Sequence, residues 1–112
     1  MDPVDYSDLV TDTEVPQVTP DEAKKLIDQG WTLVDVRTDE EWAEGHIAGA
    51  QHLPMDHIVQ SVSDIGQQVI CVCAVGGRSW RVTQYLTLQG KDAVNLNGGM
   101  ESWEAAGLPV ER

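Results

Sequence analysis

The stretch "QQVICVCAVGGRSW", residues 67–80, decides the fold. From Gln67 to Val72 the chain runs through its most apolar segment without polar alternation, the pattern of a strand buried on both faces. It then breaks into small residues, Gly76, Gly77 and Arg78. Beyond the break, "RSWRVTQYLTLQG" places Val82, Leu86 and Tyr85 on one side of a helix that stops at Gly90. A buried strand feeding a helix through a glycine turn is the repeating half-unit of a parallel sheet.

The same alternation extends in both directions. Upstream, "VPQV" reads as a short strand and "TPDEAKKLIDQG" as a helix, with Thr19 as N-cap, Pro20 at the first helical position, Glu22 completing a capping box and Gly30 as the stop. "WTLVDV" is a buried strand, and "TDEEWAEG" repeats the capping signal with Thr38 and Glu41 before Gly45. "AQHLP" supplies a short strand, and "MDHIVQSVS" predicts a helix of two turns with Ile58 and Val62 on one face. Downstream, "DAVNL" is a strand and "GGMESWEAAG" a closing helix that stops at Gly107. Non-alternating strands separated by helices predict an α/β fold with a parallel sheet covered on both faces. Ligands in such folds sit beyond the carboxyl ends of the strands, which is where Cys73 falls.

At 112 residues the chain fits one domain and one core. Residues 1–14 hold five acidic groups and no basic one, with weak apolar periodicity, and read as a flexible acidic arm ahead of a domain spanning 15–112. The formal net charge of −12, from 19 acidic against 7 basic residues, argues against nucleic acid or an anionic membrane surface as partner. No apolar run approaches the ~18 residues that span a bilayer, and "MDPVDYSDLV" lacks the basic and apolar segments of a secretory signal, so a cytoplasmic location is expected. In that reducing compartment Cys71 and Cys73 are not expected to pair. With His46, His52 and His57 they show no zinc-ligand spacing, and no metal is expected.

The loop after Cys73 carries the chemistry. A thiol is a useful nucleophile as thiolate, and a helix N-terminus or a nearby cation lowers its pKa. Ala74, Val75, Gly76 and Gly77 can curl so that successive amides face inward, and Arg78 and Ser79 add their own amides at the helix start. The Arg78 side chain has two options: inward to an anion, or outward to brace the loop against a carboxylate. Cysteine phosphatases space nucleophile and arginine as C-x5-R, whereas this chain has C-x4-R. The contracted ring suits a single terminal sulfur on the cysteine, a persulfide, better than a phosphoryl group. Cys71, two residues earlier in the apolar strand, reads as core.

At these residues the chain resembles the single-domain rhodanese-like sulfurtransferases. "LVDVRTDEEWAEGHIAGAQHLP", residues 33–54, is similar to the family's first signature, and "VNLNGGMESWEAAGLPV", residues 94–110, to its closing one. The resemblance implies a three-layer fold with a five-stranded parallel sheet. It also implies a Cys73 that takes sulfane sulfur from thiosulfate or a persulfide, small or protein-bound, and passes it to cyanide or a thiol without a cofactor. Many thiosulfate-using relatives carry Arg or Lys just after the cysteine, where this chain has Ala74 and Val75. Weak thiosulfate turnover follows as an expectation.

Asp35 and Arg37 read as an ion pair or loop brace near the site, and His46 resembles a family position that braces loops through hydrogen bonds. Trp42 and Trp103 are expected to pack under their helices and Trp31 at the start of its strand, and Trp80 is expected in the core rather than at the mouth of the loop. Two other readings compete with sulfur transfer. One is a persulfide-carrying or sensing module without turnover; the other is a cysteine phosphatase or arsenate reductase, which the loop spacing disfavours.

Overall fold

The computed structural model describes residues 15–112, so the expected acidic arm lies outside the described residues. In chain order the elements are β1 (Gln17–Val18), α1 (Pro20–Asp28), β2 (Thr32–Asp35), α2 (Asp39–Glu44), β3 (Gln51–His52), α3 (Ile58–Ser61), β4 (Gln68–Val72), α4 (Gly77–Leu88), β5 (Asp92–Leu96) and α5 (Gly99–Ala105). The strands form one five-stranded sheet ordered β1-β5-β4-β2-β3, with every pairing parallel. This is the α/β architecture that the apolar strands predict.

Both capping boxes form. Thr19 accepts from the Glu22 amide while the Glu22 carboxylate accepts from the Thr19 amide, and Thr38 and Glu41 repeat the pair, so each helix starts where its sequence directs. The segment "MDHIVQSVS" departs from expectation. It divides into a 3₁₀ turn at Met55–His57, a single turn of α3, and a second 3₁₀ turn at Val62–Asp64. No side chain caps any of the three pieces, which leaves nothing local to enforce a continuous helix. Ile58 and Val62 nevertheless turn to the same cluster.

The pleat of β4 distributes the core. Val69, Cys71 and Cys73 face one layer with Ile58, Val82 and Leu86, while Ile70 and Val72 face the other with Ala23, Met100 and Trp103. Helices therefore cover both faces of the sheet. Cys71 and Cys73 share the α4 side, and Asn95, paired in register with Cys71 and two residues from the α4-facing Ala93, projects to that side as well. No helix among the described residues is long and apolar enough to cross a membrane.

Candidate active site

Cys73 follows the last residue of β4, and the chain turns from it into α4 through Ala74–Gly76. The turn is made at Gly76, whose φ of +104° puts it in the left-handed region as the N-cap of α4, with the Gly98 amide nitrogen 3.2 Å from where a Cβ would be. The curl aims donors at one atom. The Gly76 amide lies 3.1 Å from Cys73 Sγ, the Ser79 amide 3.3 Å and the Ser79 hydroxyl 3.3 Å. Burial pushes the Cys73 thiol up. The Ser79 hydroxyl and the amides of Ser79, Gly76 and Val75 push it down, and the sum leaves it below its ordinary value. Cys71 shows what happens without such a ring: burial raises it to about 12, against a single hydrogen bond from Thr83.

The sulfur does not sit at an open lip. Cys73 has 0 % of its surface exposed, while Val75, two residues on in the same loop, is 63 % exposed. The loop thus encloses the sulfur as well as cradling it. Beside the loop runs an open groove of about 410 Å³ lined by Gln17, Gly76, Gly77, Trp80 and Arg81. Trp80 is half-buried and walls this groove, contrary to the expected core position. At the start of α4 an indole would have no free space on the buried side, where Ser79, Val82 and Thr83 already pack.

Arg78 takes the outward option with its two terminal nitrogens, while its guanidinium stays close enough to act on the Cys73 sulfur. Its Nη1 and Nη2 donate to the two Glu41 carboxylate oxygens at 2.8 and 2.9 Å, tying the loop to α2. The pair holds the Glu41 carboxyl down at about 2, from 4.5. A depressed carboxyl contributes stability above its unfolded value and loses it as pH falls through the folded one. The stability advantage of the wild type over Glu41→Gln is therefore expected to be about 1 kcal/mol at neutral pH. It is expected to shrink between pH 4.5 and about 2. Urea midpoints at a series of pH values check this; glutamine can still complete the capping box through its one oxygen, so the change falls on the charge and on one of the two Arg78 bonds.

Asp35 and Arg37 form a buried ion pair, Nη2 to Oδ2 at 2.7 Å, and the same Nη2 donates to the Gly45 carbonyl at 2.7 Å. They join the end of β2 to the end of α2. His46 Nδ1 bonds the Trp42 carbonyl at 3.0 Å, its ring stacks on the Trp42 indole at 3.6 Å, and its backbone pairs with Glu111. Trp42 also stacks on His52, with ring centroids 4.6 Å apart, while Trp103 is buried as expected. Among the described residues none of these three braces hydrogen-bonds to Cys73.

Glu41, Asn95 and Gln17 contribute from outside the loop. Glu41 was visible as a cap and not as the partner of Arg78. Asn95 accepts from the Ser79 hydroxyl at 2.5 Å and donates to Gln17 Oε1 at 2.9 Å and to the Gly76 carbonyl at 3.2 Å. Its signal in the sequence was a lone amide within the buried run "DAVNL".

The rhodanese-like domain model matches residues 19–106, most of the chain, including Cys73 and its whole loop. The chain belongs to the rhodanese-like family. This rhodanese-like domain is 36% identical over 102 residues to the thiosulfate sulfurtransferase GlpE of Pseudomonas fluorescens SBW25, covering 88% of this chain and 93% of the relative. It is 37% identical over 100 residues to the Bacillus subtilis protein named putative sulfurtransferase YtwF, covering 86% and 97%. Among solved structures, a rhodanese-like domain protein of Staphylococcus aureus superposes with a TM-score of 0.75 at 39% identity, over 88% of this chain and 100% of that one. A rhodanese-related protein of Thermoplasma volcanium reaches 0.80 at 26% identity, over 86% and 97%. The five-stranded parallel sheet is thus the rhodanese-like architecture, and the family is one of sulfurtransferases.

Proposed function

We propose that this domain transfers sulfane sulfur by carrying it as a persulfide on Cys73. The observation that supports the reading most directly is the convergence of the Gly76 amide, the Ser79 amide and the Ser79 hydroxyl on one sulfur atom at 3.1–3.3 Å. That ring is built to hold negative charge on sulfur, and a thiolate is what the first half-reaction requires. The Cys73 thiolate attacks the outer sulfur of the donor, a new S–S bond forms, and the donor's own S–S bond breaks with its electron pair leaving on sulfite or a thiolate. The terminal sulfur, now anionic, takes the place of the thiolate among the amides of Ala74–Ser79. A nucleophilic acceptor, cyanide or a thiolate, then bonds to that sulfur and Cys73 departs as thiolate. Each step exchanges one bond to sulfur for another, and the enzyme ends as it began.

The charge around Cys73 places a requirement on the donor. Ala74 and Val75 offer no cation, and Arg78, though its charge acts on the Cys73 sulfur, is largely balanced by Glu41, which takes its two outer nitrogens. A small dianion such as thiosulfate finds little to attract it to a chain of net charge −12. A persulfide that is less charged or carried on a protein is the favoured donor. Saturation kinetics are expected to give a high Michaelis constant for thiosulfate, and a low-micromolar value would contradict this preference.

Intact-protein mass spectrometry after exposure to thiosulfate or glutathione persulfide tests the function itself. The expected result is a gain of one sulfur atom, removed by cyanide and absent in Cys73→Ser. A wild-type chain that never gains sulfur from either donor overturns the reading.

A further inference from the structure

Behind the cradle, three acceptors surround a hydroxyl that has one hydrogen. Ser79 Oγ lies 3.3 Å from Cys73 Sγ, 3.4 Å from the Gly76 carbonyl and 2.5 Å from Asn95 Oδ1. A serine hydroxyl can donate once. The carbonyl and the amide oxygen can only accept, and so can the sulfur once it is ionised. Ser79, Asn95 and Cys73 are all buried, at 0 to 1 % exposure, so bulk water does not relieve the competition.

The orientation of Asn95 follows from its other contacts. Its Nδ2 donates to Gln17 Oε1 at 2.9 Å and to the Gly76 carbonyl at 3.2 Å. Turning the amide over would set its oxygen against the Gly76 carbonyl, which has no hydrogen to offer. The amide oxygen is therefore held toward Ser79, at the shortest of the three distances. In the thiol form the arrangement is consistent, because the S–H can donate to the Ser79 oxygen while Ser79 donates to Asn95. In the thiolate form the hydroxyl has to give up Asn95 to reach the sulfur.

We propose that Asn95 is a positioning residue that competes with the Cys73 sulfur for the single Ser79 hydrogen and so sets how readily that sulfur ionises. The inference rests on Cys73 as the reacting sulfur. Its chemical sense is moderation. A thiolate stabilised too strongly is a poor nucleophile, and the best attacking thiol has a pKa near ambient pH. The amides of the loop lower the thiol and Asn95 draws it partway back. Once the sulfur is carried as a persulfide, Sγ is uncharged and the Ser79 hydrogen is free to stay on Asn95. It is called to Sγ when Cys73 becomes the leaving group.

The test is the pH dependence of alkylation of Cys73 by iodoacetamide in the full chain. Cys71, raised to about 12, does not compete for reagent. The other groups facing the sulfur are Arg78 from α4 and Cys71 from β4, and none of the variants touches either. Asn95→Leu is expected to lower the midpoint by about 0.5–1 unit, a ~3–10-fold gain in thiolate at pH values below it. Ser79→Ala is expected to raise the midpoint, and adding Asn95→Leu to it to change nothing further. Gln17→Ala, at an exposed position on the edge strand, removes one of the two acceptors that orient Asn95 and is expected to lower the midpoint by less.

A residue that merely supported the loop would move the midpoint the other way, because loosening Gly76 costs the sulfur an amide. A midpoint that rises or stays put in Asn95→Leu overturns the inference, as does a shift that survives in Ser79→Ala. If Asn95→Leu does not fold, an unmoved or raised midpoint in Gln17→Ala does the same. A chain that never gains sulfur but shows these shifts would sink the sulfur-carrying reading alone. A chain that gains sulfur with unmoved midpoints would sink only the role of Asn95.

Discussion

Cys73→Ser is expected to abolish sulfur transfer, by on the order of 10³-fold or more, while leaving the fold in place. The substitution exchanges one small atom for another inside the same ring of donors, and a serine oxygen can accept from the Gly76 and Ser79 amides as the sulfur does. What is lost is the chemistry. At neutral pH the hydroxyl stays protonated, and its attack on a donor would have to form an S–O bond in place of an S–S bond. The contrast with Cys71→Ser makes the prediction specific. Cys71 lies two residues back in β4, facing the same layer and fully buried, with its thiol at about 12. Its replacement is expected to cost about 1 kcal/mol of stability, softened by the Thr83 hydroxyl already beside it, and to leave the sulfur-loading capacity of Cys73 intact. Thiocyanate formation from cyanide and a persulfide donor, measured beside thermal melting, separates the two variants. Equal losses from both would mean that packing of the strand end, rather than the nucleophile, limits the reaction.

The difference between what could be read from the sequence and what could not follows the range of the interactions. Thr19 and Thr38 were legible as caps because the partner of each stands three residues away. Cys73 was legible because the loop that serves it is contiguous with it. Arg78 was not, since its choice depended on Glu41, 37 positions earlier, which α2 brings across the loop. Asn95 and Gln17 were missed for the same reason: β5 and β1 approach the site through the sheet, 78 residues apart in the chain. Trp80 went astray because helical periodicity assigns a residue to a face without saying what lies over that face. The burial of the sulfur was equally invisible, since it depends on how tightly the loop closes.

Gly99→Ala is expected to be the most damaging single-methyl change in the domain. Gly99 opens α5 with a φ of +59°, and a Cβ there would fall within contact distance of the Cys73 carbonyl oxygen and 2.6 Å from the Ala74 carbonyl. Those two carbonyls are anchored on α5: the Met100 amide donates to Cys73 at 2.8 Å and the Glu101 amide to Ala74 at 3.0 Å. A trans peptide points its N–H opposite to its C=O. Holding the Ala74 carbonyl toward α5 therefore turns the Val75 amide back toward the sulfur, where it helps to lower the thiol. The extra methyl forces loop and helix apart, adding a clash to a left-handed backbone, and about 2–4 kcal/mol of stability should go with it. For a domain of this size that is a fall of roughly 10–20 °C in melting temperature. Whatever remains folded should alkylate at Cys73 with a raised pH midpoint, because the ring has lost its fixed amides. Gly77→Ala is the control, since Gly77 has open space around its Cβ position and an ordinary backbone. It should melt within a few degrees of the wild type. If Gly99→Ala melts there too, the anchoring of the loop on α5 is not what shapes the cradle, and the charge on Cys73 must be held by the Gly76 turn and α4 alone.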